Sequence, residues 1–142
     1  MNIRVEKNCC DVDWSRVREV LKEAGMGYHN ADIHKKCFEN SYSKVFIYHE
    51  NNLIGFGRAI SDGVYQAAIY DVAVLPSYQG QGIGKIIISN ILESIPNCNA
   101  ILYASPGKEE FYKKFNFKKM KTGMAYFQNS ERMYERGFIE KP

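Results

Sequence analysis

Three glycines alternate at Gly80, Gly82 and Gly84, between a strand-forming run that Pro76 ends and an isoleucine-rich helical run. Little else in the chain restricts the fold as tightly. Glycine accepts positive φ and lets backbone approach a ligand closely. The N–H groups of residues 81–85 converge at a helix start, which carries about half a positive charge from the helix dipole. The pattern reads as a nest for a phosphate or pyrophosphate, built from Gln79, Gly80, Gln81, Gly82, Ile83, Gly84 and Lys85. The competing reading is a glycine turn that only lets the helix pack closely. Two familiar nests fail. A P-loop needs glycine at 79 and a hydroxyl at 86, where the chain has Gln79 and Ile86. A dinucleotide-binding turn needs one more residue in its glycine spacing, and it follows the first strand of a β–α–β unit, not a meander.

The flanking segments set the loop's place. Val45-Phe46-Ile47-Tyr48 is a strand, Glu50-Asn51-Asn52 a tight turn, and residues 53–60 a returning strand. Ser61-Asp62-Gly63 turns again, and residues 67–75 run back. Alternation puts Tyr70, Val72 and Val74 on one face and Asp71, Ala73 and Leu75 on the other. After the loop, Ile87, Ile88, Ile91, Leu92 and Ile95 form the inward stripe of a helix that Pro96 closes. Upstream, residues 3–6 make a strand, Asp13 caps a helix over residues 14–24, and Asn30 caps one over 31–39. Downstream, residues 100–104 make a strand and a helix runs from Pro106 through 115. Two strands, 117–121 and 124–127, then flank Thr122-Gly123, and a helical turn lies within 130–137. Only the central strand–helix–strand needs a parallel pairing. Without repeats, low-complexity tracts or linkers, residues 1–142 read as one domain.

Composition narrows the function classes. The 142 residues, 45% hydrophobic and 25% charged, suffice for a packed core without disulfide or metal. No apolar run approaches the ~18 residues of a membrane span. Residues 1–7 alternate and do not read as a signal peptide, so the cytoplasm is the expected place. A net charge of +3, from 19 basic and 16 acidic residues, is too even for a nucleic-acid footprint. The lysines at 113, 114, 118, 119 and 121 read as a solvated edge, or as an attraction for a phosphate-bearing ligand. Cys9, Cys10, Cys37 and Cys98 form no C-x-x-C pair, and His29, His34 and His49 follow no zinc spacing. No metal site is expected, and the thiols read as free in a reducing compartment.

The stretch Val74-Leu75-Pro76-Ser77-Tyr78-Gln79-Gly80-Gln81-Gly82-Ile83-Gly84 resembles the acetyl-CoA signature of the GCN5-related N-acetyltransferase (GNAT) family. Gln79, Gly82 and Gly84 fill the signature's fixed positions. Phe111-Tyr112-Lys113-Lys114-Phe115-Asn116-Phe117 is similar to the family's second motif, Leu-Tyr-x-Lys-x-Gly-Phe, and element order agrees from residue 1 to about 128. Asn116 stands where the family has glycine, and Asn tolerates the left-handed conformation better than most residues. A narrower likeness joins Gly55-Phe56-Gly57-Arg58-Ala59, Ser61-Asp62 and Ile69-Tyr70-Asp71-Val72 to a plant plastid and bacterial branch that includes serotonin N-acetyltransferase-like enzymes.

The resemblance implies an α/β (α+β) fold. Its mixed, mostly antiparallel sheet has about seven strands and about four flanking helices, with a splayed central strand pair. It implies transfer of acetyl from acetyl-CoA to a primary amine, by direct attack in a ternary complex. The pyrophosphate would sit on the loop N–H groups, and pantetheine would lie along Val72 and Val74 like an added strand. A backbone N–H near Val72 would polarise the thioester carbonyl. Ser105 stands where the family often has an Asn touching CoA. Tyr112 takes the tyrosine position, as a donor to the leaving sulfur; the competing reading is a core ring on an amphipathic helix. No general base is evident: Ala68 and Tyr70 occupy the acceptor-facing positions. Asp71 reads as a salt-bridge or backbone partner. His29 and His34 compete between a base and a solvated loop role. An acyl-CoA-binding module without turnover, and a ligand-free interaction domain, stand as alternatives to the enzyme. An apolar segment at 124–127 suggests pairing with a second copy as a homodimer.

Overall fold

Asp13 starts the first helix, α1 (Trp14–Glu23): its carboxylate accepts from the N–H groups of Ser15 and Arg16 at 3.0 and 3.2 Å. Val17, Val20 and Leu21 make its buried stripe. Gly25, at φ +74°, ends it, and the Met26 N–H returns to the Leu21 carbonyl. α2 (Ala31–Glu39) follows Asn30, whose side chain makes no capping bond. The computed structural model describes residues 1–141. They fall into two compact units, Met1–Leu102 and a second that begins at Tyr103.

The first unit holds all five strands: β1 (Ile3–Glu6), β2 (Ser43–His49), β3 (Asn52–Ser61), β4 (Gln66–Val74) and β5 (Asn99–Ile101), in the order β1-β2-β3-β4-β5. The β2–β3 turn has Glu50 and Asn51 both at positive φ, which matches the strand twist in a two-residue hairpin. Asp62 closes the β3–β4 turn by accepting from the N–H groups of Val64, Tyr65 and Gln66. Pairing is antiparallel except for β4 with β5, which the crossover helix α3 (Ile83–Ser94) makes parallel.

Alternation on β3 separates two layers. Phe56 points to one face and meets Phe38 of α2 and Phe46 of β2; Trp14 of α1 stacks on the same two rings, Phe38 and Phe46. Gly55 and Gly57 point to the other face, under Ile83, Ile87 and Ile91 of α3. A Cβ on Gly55 would lie 2.9 Å from the Ala73 carbonyl oxygen, so glycine is what lets α3 settle so low. All six of these apolar side chains on helix and sheet, Phe38, Phe46, Phe56, Ile83, Ile87 and Ile91, are at most 2% exposed.

The register corrects the alternation expected for β4. Arg58 pairs with Tyr70 and Phe56 with Ala73, so Gly57 alone faces both Asp71 and Val72. This is a bulge, with Asp71 at φ +57°. Because Arg58 and Phe56 share a face, Tyr70 shares it with Ala73 rather than with Val72 and Val74.

In the second unit, α4 (Glu109–Lys113) and α5 (Ser130–Glu135) are the regular elements. The count is therefore five strands and five α-helices among the described residues, not seven and four. Segments 117–121 and 124–127 form no strand. A lone hairpin is marginal, and alternation stabilises a strand only where one face is buried. Met124 and Tyr126, which would share one face, are 95% and 93% exposed, and the other face offers only a half-buried Phe127 beside an exposed Ala125. The strand expected at 100–104 ends at Ile101. The extra helix is α5: Asn129 caps the Arg132 N–H at 3.0 Å, and Gly137, at φ +84°, turns Phe138 back to the Met133 carbonyl.

Candidate active site

The loop residues meet where β4 hands over to α3. Pro76–Tyr78 forms one 3-10 turn, then Gly80 and Gly82 take φ +78° and +85°. Gly84 lies in the first turn of α3. No side chain caps α3, and no acidic residue sits in its first turn. Its leading N–H groups and the positive end of its dipole are therefore offered outward. A Cβ built on Gly80 or Gly82 meets no atom within 4 Å. The left-handed φ already favours glycine there, and the open space leaves room for a ligand against the backbone; the cradle fits a pyrophosphate.

Side chains brace this cradle. Gln79 Nε2 donates to the Val74 carbonyl at 3.0 Å, and Gln81 Nε2 donates to the Ser77 carbonyl at 3.1 Å. The two glutamines thus hold the turn, and their backbones form its wall. The Ile83 side chain is 2% exposed, in the core over Gly55, which leaves only its backbone for a ligand. Lys85 is exposed. Tyr78 is fastened by a 2.8 Å hydrogen bond to His49 Nδ1 at the end of β2. That brace joins residues 29 apart, and no spacing rule announces it.

Val72 and Val74 lie on the stretch of β4 beyond its pairing with β5, which stops at Ala68 opposite Ile101. No strand among the described residues pairs with that edge over residues 69–74. This leaves a ladder edge able to receive an extended arm. The Asp71 bulge lies in this stretch. Its carboxylate accepts from Arg58 Nε at 2.7 Å, the salt bridge anticipated for it.

His34 is 4% exposed, not a solvated loop residue. Its Nε2 accepts from the His29 N–H at 2.9 Å, and burial holds its pKa below the ordinary value. A neutral ring committed to holding a loop is a structural group. Among the described residues no cluster of three His, Cys, Asp or Glu could hold a metal, and no helix is long and apolar enough to cross a membrane.

Ser105 and Tyr112 belong to the second unit. The Ser105 carbonyl accepts from the Lys108 N–H, which starts the turn into α4. Tyr112 stands half-buried on α4, edge-on to Phe111 and Phe117 at 5.0 and 5.9 Å. Burial alone pushes its hydroxyl above the ordinary tyrosine range. Asn116 takes φ +67° and lets the Phe117 N–H return to the Tyr112 carbonyl, the glycine role anticipated for it.

Residues 41–119, which carry this loop, bulge and α4, match the family model described as an acetyltransferase (GNAT) domain. The chain belongs to the GNAT family. It is 36% identical over 116 residues to an uncharacterized N-acetyltransferase, ycf52, of the alga Gracilaria tenuistipitata var. liui, covering 80% of this chain and 59% of that one. A ycf52-like counterpart in Prochlorococcus marinus is 35% identical over 108 residues, 71% of this chain and 60% of its own. The chain thus spans about three-fifths of the length of these two GNAT relatives. A probable acetyltransferase of Staphylococcus aureus superposes with a TM-score of 0.78 at 29% identity, covering 88% of this chain and 99% of that one.

Proposed function

We propose that this GNAT chain is an N-acetyltransferase that moves the acetyl group of acetyl-CoA to a primary amine by direct attack in a ternary complex. One observation carries the reading: an uncapped helix start behind two left-handed glycines with open space above them, beside a β4 edge on which β5 pairs no further than Ala68. Acetyl-CoA supplies the acetyl group and a thiolate leaving group. The N–H groups of Gln81, Gly82, Ile83, Gly84 and Lys85 hold the pyrophosphate, with Gln79 and Gly80 shaping the turn. Val72 and Val74 bind the pantetheine arm through backbone, and the Val72 N–H polarises the thioester carbonyl. The Tyr112 hydroxyl donates a hydrogen bond to the departing sulfur, and Ser105 adds a CoA contact. The amine loses its proton to solvent, and the amide product and CoA leave.

The family match runs across the boundary of the two units, which supports one GNAT domain over residues 1–142. The four free cysteines suit a reducing, cytoplasmic setting, and the exposed Met124 and Tyr126 suit a homodimer contact. A solution mass of 16.3 kDa by light scattering removes the dimer. Calorimetry with acetyl-CoA, then release of free CoA over tyramine, spermidine, glucosamine and an alanyl peptide, tests the function. Binding with turnover of one amine is expected. Binding without turnover leaves an acyl-CoA-binding module; no binding removes the ligand from the loop.

A further inference from the structure

We infer that Arg58 and Asp71 form a clamp that holds the β4 bulge in shape, making Asp71 a positioning residue for the Val72 N–H; this rests on the acetyl-transfer reading above. Asp71 stands at φ +57° in the middle of a strand, a conformation aspartate visits more readily than most residues but one a regular ladder does not use. L-residues take that conformation at a cost, so the surroundings must impose it. The imposing group is the Arg58 guanidinium, 2.7 Å from the Asp71 carboxylate. Both side chains are shielded, at 13% and 25% exposure.

Arg58 is itself fixed from three sides. Its guanidinium carbon lies 5.3 Å from the Tyr70 ring centre and 5.8 Å from that of Phe38. Its Nη1 donates to Ser41 Oγ at 3.3 Å, and buried Ser41 in turn donates to the Cys37 carbonyl at 2.7 Å. The end of α2 therefore anchors the cation, and the cation anchors the bulge. A planar guanidinium on an aromatic face makes a rigid post, which a lysine would not.

The bulge sets two β4 residues against Gly57 and takes backbone out of the ladder. It lies on the stretch of β4 beyond the pairing with β5. A donor that polarises a carbonyl works only when held in place, and a misplacement of about 1 Å costs about 100-fold in rate. The carboxylate, spent on Arg58, acts through the Val72 N–H and does not touch the amine.

Glycine separates these roles, because it takes the left-handed conformation without any clamp. With whichever of the four amines the native enzyme turns over, Asp71→Ala lowers kcat about 100-fold and leaves KM for acetyl-CoA unchanged. Asp71→Gly recovers most of that loss. Arg58→Met falls like Asp71→Ala, and adding Asp71→Gly to it restores rate. Melting curves establish that each variant is folded; if Asp71→Ala is not, the Arg58→Met pair decides. Equal losses in Asp71→Ala and Asp71→Gly overturn the inference, since the carboxylate then acts directly. No loss in any variant overturns it too. If acetyl-CoA binds but no amine is turned over, the function reading fails separately. The clamp is then read from the Val72 amide proton by NMR, as the shift between its CoA and acetyl-CoA complexes. That shift persists in Asp71→Gly and vanishes in Asp71→Ala if the clamp is real; equal shifts in both overturn it.

Discussion

Gly82→Ala separates a glycine needed by the fold from one needed by a ligand. Gly82 stands at φ +85°, where an L-residue costs about 1–2 kcal/mol. Its added Cβ would meet no protein atom within 4 Å, so no steric cost comes on top. Unfolding entropy for a chain of 142 residues is about 0.3 kcal/mol per kelvin, so the melting temperature should fall by about 3–7 °C. The effect on acetyl-CoA should be larger in kind. On the proposed reading the Cβ would occupy the space meant for the pyrophosphate, and losing one charge-assisted hydrogen bond of about 1.5–3 kcal/mol would weaken binding about 10- to 150-fold. Gly25→Ala is the matched control. Gly25 has φ +74° and the same open surroundings, but it ends α1. It should show the same thermal loss and unchanged affinity. Titration calorimetry with acetyl-CoA and CoA, beside scanning calorimetry, gives both quantities. If folded Gly82→Ala binds acetyl-CoA as the native chain does, the loop is not the pyrophosphate site.

Tyr112→Phe should lower kcat by about 10²–10⁴-fold at unchanged acetyl-CoA affinity, while Cys37→Ala and Cys98→Ala stay active; the opposite pattern in stopped-time assays means a route through a cysteine. Gly55→Ala forces a Cβ to 2.9 Å from the Ala73 carbonyl oxygen and 3.2 Å from Ile83 and Ile87, an overpacking of about 1–3 kcal/mol that melting should register as a fall of about 3–10 °C. His34 is held below 6.5 in the fold, so an unfolding chain takes up a proton there, and stability falls as pH drops through about 6.5. His34→Gln keeps an acceptor for the His29 N–H and should flatten that acid limb in urea midpoints measured at about pH 7.5 and 5.5; an unchanged slope assigns the acid sensitivity elsewhere.

What the sequence determined by itself was local. The glycine loop, Asp13 as a cap, the β2–β3 turn and the left-handed Asn116 each depend on residues a few positions apart, whose conformations short-range sterics decide. The meander and α3 were legible because their apolar periods match the faces they bury. Segments 117–121 and 124–127 show the limit of that reasoning. They carry strand-like residues, yet a strand needs a partner's ladder and a buried face, and exposed Met124 and Tyr126 have neither. Asp71 shows the same limit inside a real strand. Aspartate is uncommon in strands, which hints at irregularity, but a one-residue insertion exists only relative to a partner, here Gly57. Tertiary structure alone brought Arg58 to Asp71 and Tyr78 to His49. A charge or a ring nitrogen takes its role from whatever the folded chain places within about 3 Å, and for residues far apart in sequence only packing decides that.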